Sequence, residues 1–201
     1  LIRRFSLWIG QDATLQNKEG HKDWLNAARK QDWRYWQRYR EWLERKLSIK
    51  AVEALDRSTD SVLALLEDPL RDGAWDRRGL VVGHVQSGKT SHYSGLICKA
   101  ADAGYKIIIV LAGLHNNLRS QTQMRLDEAF LGFKATVLDD ETHEPIGVGE
   151  IDADPAIRPN FATTRTEKGD FSKKVARNLG ITPEQRPWLF VVKKNKTDLT
   201  H

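Results

Sequence analysis

The sequence predicts an α/β fold in which a parallel sheet is flanked by helices and preceded by an N-terminal helical segment. Three observations predict it. A glycine-rich loop at 83–90 follows a short apolar run and opens an amphipathic stretch. A continuous apolar run, 106–112, comes next, as expected of a parallel strand covered on both faces. The order strand, loop, helix, strand, helix, strand then continues toward a further apolar run at 188–192.

The composition sets the frame for these elements. At 201 residues the chain can build one sizeable core, with or without a small appendage. Hydrophobic residues make up 40% and charged residues 29%, the mix of an ordinary globular domain. No apolar run approaches the roughly 20 residues needed to cross a bilayer, and Trp8 and Gln11 interrupt any leader-like core. No membrane association is therefore expected. The one cysteine, Cys98, excludes an intramolecular disulfide and suits a reducing, cytoplasmic setting. Lys and Arg total 32 against 27 acidic residues, and the resulting +5 is compatible with a nucleic-acid partner without requiring one. The chain begins at Leu1 rather than Met and ends at His201 soon after an apolar run, so a fragment of a longer protein is expected.

Taken in order, residues 1–20 are polar with one apolar patch. Residues 24–47 read as a helix with Trp36, Leu43 and Leu47 on one face, Trp33 and Tyr39 flanking it, and Arg34, Arg38 and Arg45 opposite. A short helix is expected at 49–55. A third follows Ser58, Thr59 and Asp60 as N-cap residues and runs to Pro69. These helices make an N-terminal segment over 1–73, with the core of the fold over 74–201. Leu80, Val81 and Val82 form the expected first strand, buried and running straight into the glycine-rich loop. Residues 89–103 read as a helix with Tyr93, Leu96, Ile97, Ala100 and Ala101 on one stripe and Gly104 as the residue that ends it. A further helix carries Leu118, Thr122, Leu126 and Phe130. Beyond it, 135–138 suggests a strand, 147–166 a loop-rich stretch, Asp170 the cap of a helix to 179, and 188–192 the last strand.

The chemistry lies in Gly83, His84, Val85, Gln86, Ser87, Gly88, Lys89 and Thr90, which match the spacing of a phosphate-binding P-loop. Gly83 lets the chain turn off the strand, and Gly88 lets the backbone close around phosphate oxygens. Main-chain amides and the positive end of the following helix form the anion nest. Lys89 is expected to neutralise the β- and γ-phosphates, and the Thr90 hydroxyl to ligate magnesium, so ATP with Mg2+ is the expected cofactor. Turnover also requires an acidic residue at a strand end. Asp139, Asp140 and Glu141 are the internal candidates, and a turn after an edge strand is the preferred reading of that run.

Several further blocks carry a more specific likeness. They are Leu55-Asp56-Arg57-Ser58-Thr59-Asp60, Gly79-Leu80-Val81-Val82 leading into the P-loop, and Lys99-Ala100-Ala101-Asp102-Ala103-Gly104-Tyr105. Ala112-Gly113-Leu114-His115-Asn116-Asn117-Leu118-Arg119-Ser120-Gln121-Thr122-Gln123 follows, then Arg125-Leu126-Asp127-Glu128 and Leu131-Gly132-Phe133. With Gly169-Asp170-Phe171 and Val191-Val192-Lys193-Lys194-Asn195, the chain resembles the endonuclease family named for its Z-one domain. The resemblance implies an incomplete, RecA-like P-loop ATPase core related to superfamily II helicases, from bacterial restriction-modification or phage defence. DNA and other defence-system proteins are the partners it implies. Family members are longer, and their acidic Walker B segment follows the Val-Lys-Lys-Asn strand, so a chain ending at His201 stops before it. No clustered carboxylates of a two-metal nuclease and no zinc spacing among the histidines occur in the sequence.

In a helicase-like core the helix start at Asn116, Asn117, Arg119, Gln121 and Thr122 corresponds to a nucleic-acid contact segment. Helix capping with a solvated Arg119 explains the same residues. The run from Trp33 to Trp42 interleaves aromatics with arginines and reads chiefly as a packed helix, with Tyr35 and Trp42 off the stripe as the better ligand-facing candidates. Trp75 is expected to anchor the core, Cys98 to be a small buried apolar residue, and Asp127 and Glu128 to be an exposed carboxylate pair. A nucleotide-binding module without turnover and a small-molecule phosphotransferase stand beside the motor as alternatives.

Overall fold

A computed structural model describes residues 17, 19–83, 88–136, 144–171 and 186–194. The chain forms a mixed α/β structure with a small parallel three-stranded sheet flanked by helices. Among the described residues no helix is long and apolar enough to cross a membrane.

Helix α1 (Arg34–Glu44) starts later than its sequence pattern suggests, after a single 3-10 turn at Ala28–Lys30. Its own N-cap residue, Trp33, supplies no side-chain bond. The cap comes instead from Asp102, whose two carboxylate oxygens accept the amides of Tyr35 (3.0 Å) and Trp36 (2.7 Å). Burial pushes the Asp102 carboxyl up to about 7, against the pull of these N–H donors. Trp36, Tyr39 and Leu43 enter the core as the periodicity requires, while Leu47 lies past the helix and is exposed. Arg38 departs from the expected solvent face. It is buried, and its guanidinium donates to the carbonyls of Phe130 and Asp152.

Helix α2 (Ile49–Leu65) is one helix where two were expected. Ser48 caps it by accepting the amide of Ala51 at 3.3 Å. Thr59 does not break the helix, because its hydroxyl bonds back to the carbonyl of Leu55 at 2.8 Å, and Ser61 does the same to Arg57. Asp60 is used differently again. With Asp56 it receives the ammonium of Lys99, a fully buried lysine whose Nζ also lies 4.2 Å from the centre of the Trp36 ring. This cluster ties α2 to helix α3 (Lys89–Ala103). Gly95 lets α1 press close, since a Cβ there would sit 3.1 Å from Trp36. Gly104 ends α3 in the left-handed conformation, as expected, and its amide returns to Ala100 and Ala101.

The sheet has the order β1 (Ile107–Leu111), β3 (Trp188–Val192), β2 (Asn160–Phe161), all parallel. Ile107 pairs with Trp188 and Leu111 with Val192, while Phe161 pairs with Leu189. β3 is buried at every position, as a central parallel strand should be. β1 is not covered on both faces. Ile107, Ile109 and Leu111 are exposed, and Lys106 and Ala112 make the bonds to β3 at either end of the strand.

The expected first strand also differs. Leu80, Val81 and Val82 are 87%, 52% and 84% exposed and pair with no strand among the described residues. Their anchors explain this. Upstream, Arg77 holds Glu67 of the segment after α2, and Trp75 stacks edge-on against Tyr105; downstream, Gly83 is held by Lys89 of α3. Both attachments engage helices and turns rather than the sheet. Of the expected 135–138 strand, Ala135 and Thr136 are described and are not strand; the remainder, with Asp139, Asp140 and Glu141, lies outside the described residues. So does the helix expected to follow Asp170. Gly132 and Gly149 let a π-helical turn (Asp127–Leu131) and a 3-10 turn (Gly147–Glu150) touch backbone to backbone. A Cβ on Gly149 would lie 2.0 Å from the Gly132 carbonyl oxygen.

Candidate functional site

The P-loop sits where α3 begins. Gly83, Gly88, Lys89 and Thr90 are described; His84, Val85, Gln86 and Ser87 lie outside the described residues. Gly88 precedes the helix at φ 76°, ψ 20°, a left-handed conformation that a side chain disfavours, and its carbonyl accepts the amide of His92 at 3.0 Å. No side chain caps this helix start. The first-turn amides of any helix lack partners within it, and here the N-cap residue is a glycine with no side chain to take them up.

Lys89 folds back toward Gly83. Its Nζ donates to the carbonyl of Gly83 at 2.9 Å, so these two residues are drawn together across the five between them. The lysine remains on the surface. The first turn of α3 is braced from two sides: the Tyr39 hydroxyl donates to the Ser91 carbonyl at 3.3 Å, and Ser58 shares a bond with His92 Nε2 at 3.1 Å. Thr90 Oγ1 accepts from Arg125 Nη1 at 3.3 Å, bringing a second guanidinium or ammonium charge from another helix to the same place. Arg125 carries no phosphate-binding signal of its own in the sequence, where it appears only in the block Arg125-Leu126-Asp127-Glu128, 35 residues beyond Thr90.

Helix α4 (Asn116–Leu126) forms as expected, with Leu126 and the following Phe130 buried as the apolar stripe requires, but the rest of its buried face is polar. Leu118 is exposed, whereas Arg119, Ser120, Gln123 and Leu126 are buried. The five residues expected to contact nucleic acid therefore part company. Asn116, Asn117 and Gln121 are exposed on the surface, with Gln121 Nε2 donating to Asn117 Oδ1 at 3.2 Å. The Thr122 hydroxyl bonds back to Leu118 at 2.8 Å.

Arg119 is fully buried and donates to the carbonyls of Thr164 (2.8 Å), Thr166 and Gly169 (3.5 Å). Burial lowers its pKa, and the three carbonyl dipoles partly replace the lost water. It is thus a clamp on the loop after β2 and is not available to phosphates.

Asp127 is a second correction. It is buried, accepting from Gln123 Nε2 (2.9 Å), the Ala135 amide (3.0 Å) and Arg165 (2.8 Å), while Glu128 is exposed as expected. Gln123 in turn receives the Thr163 hydroxyl at 2.7 Å, and the Val191 amide donates to Thr163. One polar chain thus runs from α4 to the central strand.

The aromatic run of α1 is also spoken for. Tyr35 is buried against Phe130 at 5.5 Å, against expectation. Trp42 is half-buried with the Lys46 ammonium 3.6 Å above its ring. A cavity of about 630 Å³ lies beside Trp33 and Trp36; along its wall Asp60 pairs with Lys30 and Arg40 with Glu44, and its lining includes no P-loop residue. Cys98 is buried and donates to the Ala129 carbonyl, an apolar role as expected. Among the described residues no group of three or more His, Cys, Asp or Glu side chains is placed to hold a metal ion.

Comparison of the chain with protein-family models, with curated proteins and with solved structures finds no match.

Proposed function

We propose that the chain is the nucleotide-binding part of a helicase-like, DNA-acting ATPase, RecA-like in arrangement, from a bacterial restriction or anti-phage system. ATP is held with Mg2+ at residues 83–90: Lys89 neutralises the phosphates, Thr90 takes the metal, and the loop from Gly83 to Gly88 supplies amides. The observation that carries this reading is the closure of Lys89 onto the Gly83 carbonyl in front of an uncapped helix start, with Gly88 left-handed at the turn. A sequence that merely ended a strand would have no reason to bring those two ends together. DNA would meet the exposed amides of Asn116, Asn117 and Gln121 at the start of α4. The DNA, motor and defence-system parts of the reading rest on the family resemblance.

The test is nucleotide binding by titration calorimetry with MgATP, on the chain and on Lys89→Ala. Loss of binding in the variant is expected, and equal affinity in both would refute the site.

A second reading, a nucleotide-binding module without turnover of its own, is favoured by the deployment of Asp127. This carboxylate is consumed by Gln123, Ala135 and Arg165 and cannot serve a metal or a water. Phosphate release measured with and without DNA separates the two readings, since only the motor gives a DNA-stimulated rate.

A further inference from the structure

We propose that Arg125 is a second phosphate-binding cation of this site, delivered by α4 to the side of Thr90. The proposal rests on the P-loop reading above and deepens it.

The position of Arg125 is fixed by what surrounds it in the chain. Leu126 and Asp127, the next two residues, are fully buried, and Asp127 is held by three partners from three parts of the structure. Gln123, two residues before, is also fully buried. The backbone at 125 is thereby tied down on both sides, while the Arg125 side chain itself lies on the surface. From there the guanidinium reaches Thr90 Oγ1 at 3.3 Å. Among the described residues no carboxylate pairs with Arg125.

That contact is informative because of the atom it uses. The Thr90 oxygen is the one that P-loop chemistry assigns to magnesium. An oxygen accepting from a guanidinium cannot also face a divalent cation without setting two positive charges against each other at a few ångström. Were Thr90 to hold Mg2+, Arg125 would have to leave this oxygen, and a guanidinium with five donors on a long stem suits phosphate oxygens well.

Arg125 rests on an uncharged oxygen, and a bound phosphate would exchange that neutral acceptor for an anionic one. Charge-assisted bonds of that kind are roughly twice as strong as neutral ones.

The experiment is titration calorimetry of the whole chain with MgATP, inorganic tripolyphosphate and AMP, comparing wild type, Arg125→Ala and Arg125→Lys. Arg125→Ala is expected to weaken MgATP and tripolyphosphate about tenfold, with Arg125→Lys in between. The melting temperature is expected to stay within about 2 °C of wild type, since an exposed side chain with one weak bond adds little. Wild type binding MgATP while Arg125→Ala binds it within twofold overturns this proposal and leaves the P-loop reading standing. An equal loss for AMP and MgATP also overturns it, by assigning Arg125 to the nucleoside. Wild type binding neither MgATP nor tripolyphosphate overturns both.

Discussion

Arg119 offers the sharpest test, because sequence and structure give it opposite jobs. On the surface it would touch nucleic-acid phosphates; in the structure it is fully buried and holds three backbone carbonyls of the loop after β2. The cost of Arg119→Ala follows from the three bonds taken separately. The carbonyl of Thr164 is in a buried environment, and leaving it without a donor costs about 2–3 kcal/mol. The carbonyls of Thr166 and Gly169 are only part-buried, and water replaces the lost donor there, so each contributes roughly 0.5–1 kcal/mol.

The sum, about 3–5 kcal/mol, corresponds to a melting temperature lower by roughly 6–20 °C for a chain of this size. Thermal unfolding followed by circular dichroism at fixed pH and concentration reads it directly. Arg119→Lys should recover less than half the loss, because one ammonium cannot span three acceptors. The reasoning is refuted if Arg119→Ala melts within about 2 °C of wild type while its affinity for DNA falls uniformly across sequences, the signature of a lost phosphate contact.

Two further outcomes are expected. Asp102 has its carboxyl raised to about 7 in the folded chain, above its unfolded value, so its contribution is fully present at low pH and is lost as pH rises through about 7. Urea midpoints of wild type should therefore decline between about pH 4 and 7 relative to Asp102→Asn, which cannot ionise; parallel profiles would refute the assignment. Gly149→Ala must push a methyl into the Gly132 carbonyl, a backbone atom that cannot swing aside, and should cost on the order of 1–3 kcal/mol in urea unfolding. An unchanged midpoint would show that the two turns part easily.

What was legible in the sequence was whatever has a local signature. The α3 helix with Gly104 at its end, the apolar β1 and β3 strands and the P-loop spacing all announce themselves through periodicity, glycine or a fixed motif. What failed to announce itself was polar burial. Arg119, Ser120, Gln123 and Asp127 share the inner face of α4 and its continuation, where hydropathy marks only Leu126 and Phe130, and Leu118 of the same stripe is exposed. No pattern of single residues reveals that carbonyls 45, 47 and 50 residues away will meet Arg119, or that an arginine 38 residues away will meet Asp127. The Asp102 cap escaped for the same reason, since it reaches α1 from a helix 66 residues later. Thr59 and Asp60 misled because N-cap residues and mid-helix residues with long-range partners look alike in one dimension. Leu80, Val81 and Val82 have strand-like composition, but their neighbours attach them to helices.

The four attachments along α3 have a consequence for how the chain can be divided. Tyr39 grips Ser91, Ser58 meets His92, Asp56 and Asp60 hold Lys99, and Asp102 reaches out to α1, so the helix is fastened at both ends and in the middle. A piece beginning at residue 74 would keep the whole P-loop motif and lose Tyr39, Ser58, Asp56, Asp60 and the Trp36 ring over Lys99, the partners that hold this helix from outside. Such a piece would carry the recognisable loop without the scaffolding that aims it.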